Sequence, residues 1–242
     1  MNRTAFDKLF SNWEYTYYTP VLWYVSLFFA IIIGVRAFRR ERMFLVLFIY
    51  VLSSMTFLIV WDSVLIALEN GRRRTAIIEV TNTVFSLIEA TVFFYFFNAI
   101  FKNNRLKYFT YLGLTAIFIF SIILFIAISD PSFSRKQISS VSLAINSLEF
   151  LLILTLCLFY FYGLFKHDIA EFRLLKDTPS FLIVTSLFFY VLVSLPFFFI
   201  GGVLLYNNRS LYYIMFSLHY ISLSLLVFCI AKALRSKSTI IY

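Results

Sequence analysis

The stretches 76-AIIEVTNTVFSLIEATVFFYFFNAIF-101 and 141-VSLAINSLEFLLILTLCLFYFYGLF-165 decide the fold of this chain. Each is longer than the roughly 20 apolar residues that carry an α-helix across hydrocarbon. Inside each, the charged residues are carboxylates alone: Glu79 and Glu89 in the first, Glu149 in the second. Unpaired backbone amides and carbonyls are intolerable in lipid, so apolar runs of this length are helices. The alternating pattern of a membrane β-barrel strand is absent.

Five more runs, at about 18–36, 43–67, 108–128, 180–205 and 210–233, have comparable length and composition. Together they occupy most of the 242 residues, which are 62% hydrophobic and 14% charged, with a mean hydropathy of +0.88. Soluble domains are about half apolar and a quarter charged, and no soluble core could hide this excess. The expectation is an all-α membrane protein, a bundle of seven transmembrane helices forming one membrane domain over 1–242. Residues 1–17, with Asp7, Trp13 and Glu14 among apolar positions, lack the pattern of a signal peptide and read as an outer N-terminal segment. No soluble catalytic module is expected.

Orientation follows from the loops. Thirteen Lys and Arg residues fall on one side, among them Arg36, Arg39, Arg40, Arg42, Lys102, Lys166, Lys176 and Lys232, against eight on the other. Positive charge marks the cytoplasmic face, which puts the N-terminus outside, the C-terminus inside, and the protein in the cell's inner (plasma) membrane. The outer triplet Arg72 to Arg74 runs against the rule and is either an exception or a functional patch. The net charge of +9 is read as topology and attraction to anionic lipid, with no nucleic-acid role. Tyr15, Tyr17, Tyr18, Trp23, Tyr24, Tyr206, Tyr212 and Tyr213 flank outer span ends, where amphipathic rings anchor in the headgroup layer. Pro196 lies inside the sixth run and is expected to kink it.

The informative residues are the polar ones inside the spans, because each is costly there unless it faces protein, ligand or water. They are Asp62, Glu79, Glu89, Glu149 and His219. Glu79, Asn82, Ser86 and Glu89 follow spacings of three, four and three, which aligns them on one helical face. Ser142, Asn146 and Glu149 follow four and three in the fifth run, so both runs carry one pattern and both travel from outside to inside. This points to a parallel internal repeat of the kind some membrane proteins contain. By helical rise, Glu89 and His219 fall near the midplane and Asp62, Glu79 and Glu149 in the outer half, lining a cavity open outward. Interhelical bonding is the plain reading for Asn82, Ser86, Ser142 and Asn146, and interfacial solvation for Asp62 and Glu79. For Glu89, Glu149 and His219 a ligand-binding or proton-exchanging cavity is the favoured reading. Cys157 and Cys229 lie in apolar runs with no CxxC spacing, and no metal site or cofactor is expected. Lys232, roughly 16 Å from the midplane by helical rise, is too near the cytoplasmic face to hold a retinal Schiff base.

The stretches NTVFSLIEATVFFYFF, INSLEFLLILTLCLFYFYGLF, TPSFLIVTSLFFYVLVSLPFFF and LYYIMFSLHYISLSLLVFCIAKAL together resemble a family of small seven-helix membrane proteins common in Bacteroidetes. The resemblance covers about residues 43–235 and rests on Ile88 with Glu89, on Glu149, on Pro179 and on His219. This chain has Ser180 and Phe181 where that family usually has an aromatic and a tryptophan, and Tyr220 where it has an asparagine. Related seven-helix modules look like the input domains of some histidine kinases. The resemblance therefore implies a membrane sensor or accessory signalling protein, with a cytoplasmic or membrane partner or a homo-oligomer to receive the signal. The competing expectation is a proton-coupled carrier or ion pathway through Glu89, Glu149 and His219. Only six glycines speak against the broken helices such carriers use. An intramembrane enzyme finds no support in HExxH, GxSxG or paired-aspartate motifs.

Overall fold

The computed structural model describes residues 24–25, 27–32, 42–67, 72–130, 132–165 and 178–235. The N-terminal segment, the ends of the first span, the loop after 165 and the C-terminal tail lie outside these. Among the described residues the regular structure is helical throughout. The helices are α1 (27–32), α2 (Arg42–Ala67), α3 (Arg72–Ile100), α4 (Asn104–Ser129), α5 (Arg135–Phe165), α6 (Pro179–Asn207) and α7 (Arg209–Arg235). In five of them, α3 to α7, the apolar stretch is long enough to cross a bilayer, and α2 carries a shorter one at Leu45–Phe57. This is the architecture of a multi-pass membrane protein.

Local chemistry sets the helix ends. Ser134 and Gln137 form a reciprocal capping box: the Ser134 amide donates to Gln137 Oε1 at 2.8 Å and the Gln137 amide to Ser134 Oγ at 3.3 Å. That cap starts α5 at Arg135, six residues before the apolar run. Asn103 Oδ1 accepts from the Arg105 amide at 2.9 Å to open α4, and Thr178 Oγ1 accepts from the Phe181 amide at 3.2 Å with Pro179 in the first turn of α6. Asn208 Oδ1 does the same for Leu211 on α7 at 3.1 Å. Helix α3 begins at Arg72, so the arginine triplet forms its first turn and not a loop. Pro196 lies inside a continuous α6.

Helices α2, α3, α5, α6 and α7 form a ring: α2 packs on α3, α3 on α5, α5 on α6 and α6 on α7, and a lighter contact of α7 with α2 closes it. In this circuit α6 stands between α5 and α7. Helix α4 lies outside the ring against α3 and α5. The apolar core of the α3 span is 56% buried, and those of α4 and α7 are each 28% buried. Gly113 permits that approach, since a Cβ there would meet the Phe94 ring at 3.1 Å. The outward faces, such as Phe118, Ile119, Ile122 and Ile126 on α4 and Leu218, Ile221, Leu225 and Phe228 on α7, are apolar and exposed, as lipid-facing surfaces are. Hydroxyls on exposed stretches fold back onto their own helix, as Thr115 does onto the Tyr111 carbonyl at 2.9 Å and Thr155 onto that of Leu151 at 2.8 Å. In lipid this leaves neither of these donors unsatisfied.

Candidate functional site

Helices α3 and α5 are joined by two side-chain bonds with the same sequence offset, one part-buried and one buried. Ser139 Oγ donates to Glu79 Oε1 at 2.6 Å, and Ser86 Oγ donates to Asn146 Oδ1 at 2.7 Å; in both pairs the residues are 60 apart. A constant offset means parallel helices in fixed register, and the two bonds stand seven residues apart, two turns on one seam. The repeated pattern read in the sequence has the same offset: Asn82 with Ser142, Ser86 with Asn146, Glu89 with Glu149. Its two copies face each other across this seam. Glu149 therefore stands level with Glu89, deeper than its distance from the span centre implied, because the capping box extends α5 at its N-terminal end.

Inside the ring is a cavity of about 200 Å³. It runs from Glu79 and Ser139 to Glu89, ten residues along α3, or about 15 Å of helical rise. All five ring helices line it: Phe57 from α2; Glu79, Asn82, Ser86 and Glu89 from α3; Ser139, Ser142 and Asn146 from α5; Tyr190, Phe197 and Phe198 from α6; Tyr212, Phe216 and His219 from α7. Helices α3 and α5 supply the carboxyl, amide and serine groups of the lining together with Phe85, Leu143 and Phe150, and the α6 and α7 lining is mostly aromatic.

At the deep end Tyr50 of α2 donates to Glu89 Oε1 at 2.9 Å, and Tyr190 approaches the same carboxyl from α6. Glu89 is 3% exposed, and Tyr50 is sealed between the rings of Phe85 and Phe93. Near the mouth, Glu79 also accepts from Asn82 Nδ2 at 3.2 Å. On the aromatic wall His219 Nδ1 pairs with Ser194 Oγ at 2.8 Å. The imidazole is boxed by Phe197, stacked at 5.6 Å, by Phe198 and Tyr220 edge-on, and by Tyr190 at 5.6 Å. Its orientation is set by packing and one hydrogen bond together.

Of the nine polar residues singled out in the sequence, Glu79, Asn82, Ser86, Glu89, Ser142, Asn146 and His219 line this cavity. Glu149 is not among the lining residues. It is fully buried behind the wall, although Asn146 and Phe150 on either side of it both reach the cavity. Both of its carboxyl oxygens lack a hydrogen-bond partner among the described residues. Ser86 lies near, but gives its proton to Asn146. Asp62 falls on α2, but its side chain lies outside the described residues, as do those of Arg72 and Arg74. Among the described residues no group of three His, Cys, Asp or Glu side chains is placed to hold a metal ion.

Sequence reasoning missed Tyr50, Ser139, Tyr190 and Ser194, and it assigned Tyr212 to the headgroup layer although that ring lines the cavity. A usable signal existed for two of them. Tyr50 and Tyr190 lie well inside apolar runs, away from the interface where tyrosine is at home, and a buried phenol needs a partner.

Comparison of the chain with protein-family models, with curated proteins and with solved structures finds no match. The functional reading therefore rests on the geometry.

Proposed function

We propose that this protein is a non-enzymatic membrane sensor or accessory signalling protein that binds a small or lipidic ligand in the cavity enclosed by α2, α3, α5, α6 and α7. In this reading the chain crosses the inner (plasma) membrane seven times with its N-terminus outside, and the cavity opens outward at the Glu79 end. The observation that carries the reading is that five helices each contribute to one cavity. A ligand there interacts differently with different packings of the ring, which is the condition for shifting a conformational equilibrium. Helix α7, held by the light α2 contact and by α6, is the element whose displacement would reach the cytoplasmic face and a partner there.

The test is a thermal-unfolding screen of the full chain in detergent against small molecules and lipids, run beside the cavity-filling variant Ser86→Leu. Ligands that raise the wild-type midpoint and leave the filled variant unmoved support the assignment. A library that shifts neither, or both alike, would refute it.

A second reading, a proton-coupled carrier, draws on one observation: Glu149 stands level with Glu89 with neither oxygen paired among the described residues. A buried acid with no protein partner is the kind of group that proton pathways use. Reconstituted protein would then show pH-driven flux that Glu149→Gln abolishes, whereas the sensor reading expects no flux from either form.

A further inference from the structure

We propose that the cavity selects a small organic cation, an amine with a compact apolar body. Its ammonium sits against Glu89 and its body against the Phe197, Phe198 and Phe216 wall. The inference rests on the cavity being a ligand site, and it names the chemistry of that ligand.

Three observations point the same way. First, the described lining residues include two carboxylic acids, Glu79 and Glu89, and no lysine or arginine. Arg73 and Lys136 stand exposed at the same end of the bundle, but neither reaches the lining. The protein groups that satisfy the two carboxyls are uncharged donors: Ser139 and Asn82 on Glu79, Tyr50 on Glu89. Hydroxyl and amide donors hold a carboxyl in place without cancelling its charge, so the positive partner is left for a ligand to supply. Second, Glu149 lies fully buried outside the lining, level with Glu89, with neither oxygen hydrogen-bonded among the described residues. The acid that an ammonium can reach is Glu89 of the lining, and with two acids at one level the deep end is a poor place for an anion.

Third, the facing wall is built of aromatic rings, with Phe197 stacked on His219, Phe198 at 4.8 Å from Phe150, and Phe216 at 4.6 Å from Tyr220. All three rings line the cavity and give an apolar surface for the body, and a ring face left open to the cavity also favours a neighbouring positive charge. Size narrows the class. A sealed apolar cavity of about 150 Å³ in another protein accepts benzene. The 200 Å³ here therefore suits one ring or a short branched chain bearing an ammonium, and not a phospholipid. A bare metal ion is disfavoured by the absence, among the described residues, of a three-ligand set.

The experiment compares three probes of nearly equal shape on the purified full-length protein: phenethylammonium, neutral 2-phenylethanol and anionic phenylacetate. Binding is followed by the unfolding midpoint and by calorimetry. Phenethylammonium is expected to bind at least about tenfold more tightly than either isostere, and Glu89→Gln to remove that preference, because a hydrogen bond to a charged group is the strong kind. The probes are ranked on the wild-type protein, so the outcome does not depend on how well the variant folds. Equal or tighter binding of the neutral or anionic probe would overturn the cation proposal while leaving a ligand cavity in place. Binding of none of the three would overturn both.

Discussion

The register of α3 against α5 predicts a measurable coupling between Ser86 and Asn146. The two side chains are 5% and 8% exposed and meet at 2.7 Å. Replacing Ser86 by Ala removes the donor and leaves the Asn146 carbonyl facing the cavity, where water can take up part of the loss. Interhelical hydrogen bonds in membrane bundles couple by about 0.6 kcal/mol on average and up to about 1.7 kcal/mol. The short distance argues for the upper part of that range and access to the cavity for the lower, so about 1 kcal/mol is expected for this pair. The assay is a double-mutant cycle on Ser86→Ala and Asn146→Ala, with reversible unfolding in mixed micelles as readout. A parallel cycle on Glu79→Gln and Ser139→Ala should give a coupling of the same sign, since that bond has the same 60-residue offset. Ser147→Ala is the internal control: its hydroxyl returns to the Leu143 carbonyl at 2.8 Å, and it should be additive with Ser86→Ala. Coupling below about 0.2 kcal/mol in both cycles would refute the register and the level placement of Glu89 and Glu149 that depends on it.

Three further outcomes are expected. Tyr50→Phe keeps the packed ring but removes the donor to buried Glu89, and should destabilise the protein by about 1–3 kcal/mol in chemical denaturation, whereas loss of the exposed Thr56 hydroxyl, bonded only to the Leu52 carbonyl, should cost little. Gly113→Val should destabilise by about 1–3 kcal/mol and shift α4 relative to α3, because even a Cβ meets Phe94 at 3.1 Å, while Gly113→Ala needs the ring to yield only slightly; unfolding midpoints of the two variants would separate these cases. Single cysteines at exposed Arg73 and Lys102 should label from opposite sides of intact cells, position 73 from outside, and the reverse result would invert the proposed topology.

The spans α3 to α7 were legible in the sequence because hydropathy is a local, additive property, and a long apolar run has no structural choice in lipid but to be helical. The three-four-three spacings also survived, since helical periodicity alone puts Glu79, Asn82, Ser86 and Glu89 on one face. The matched pattern around Glu149 held more than a hint of repetition: its offset equals that of the hydrogen bonds that join α3 to α5. Which helix stands beside which was not legible. In a membrane the outward faces are as apolar as the buried ones, so periodicity does not say that α4 lies outside the ring or that α6 separates α5 from α7. The partners of the buried acids and of the imidazole come from distant helices: Tyr50 and Tyr190 converge on Glu89, and Ser194 with a box of aromatic rings surrounds His219. Only the tertiary structure could bring these together, and it alone placed Glu149 behind the cavity wall, because one polar residue per turn does not specify on which side of a packed seam its carboxyl comes to rest.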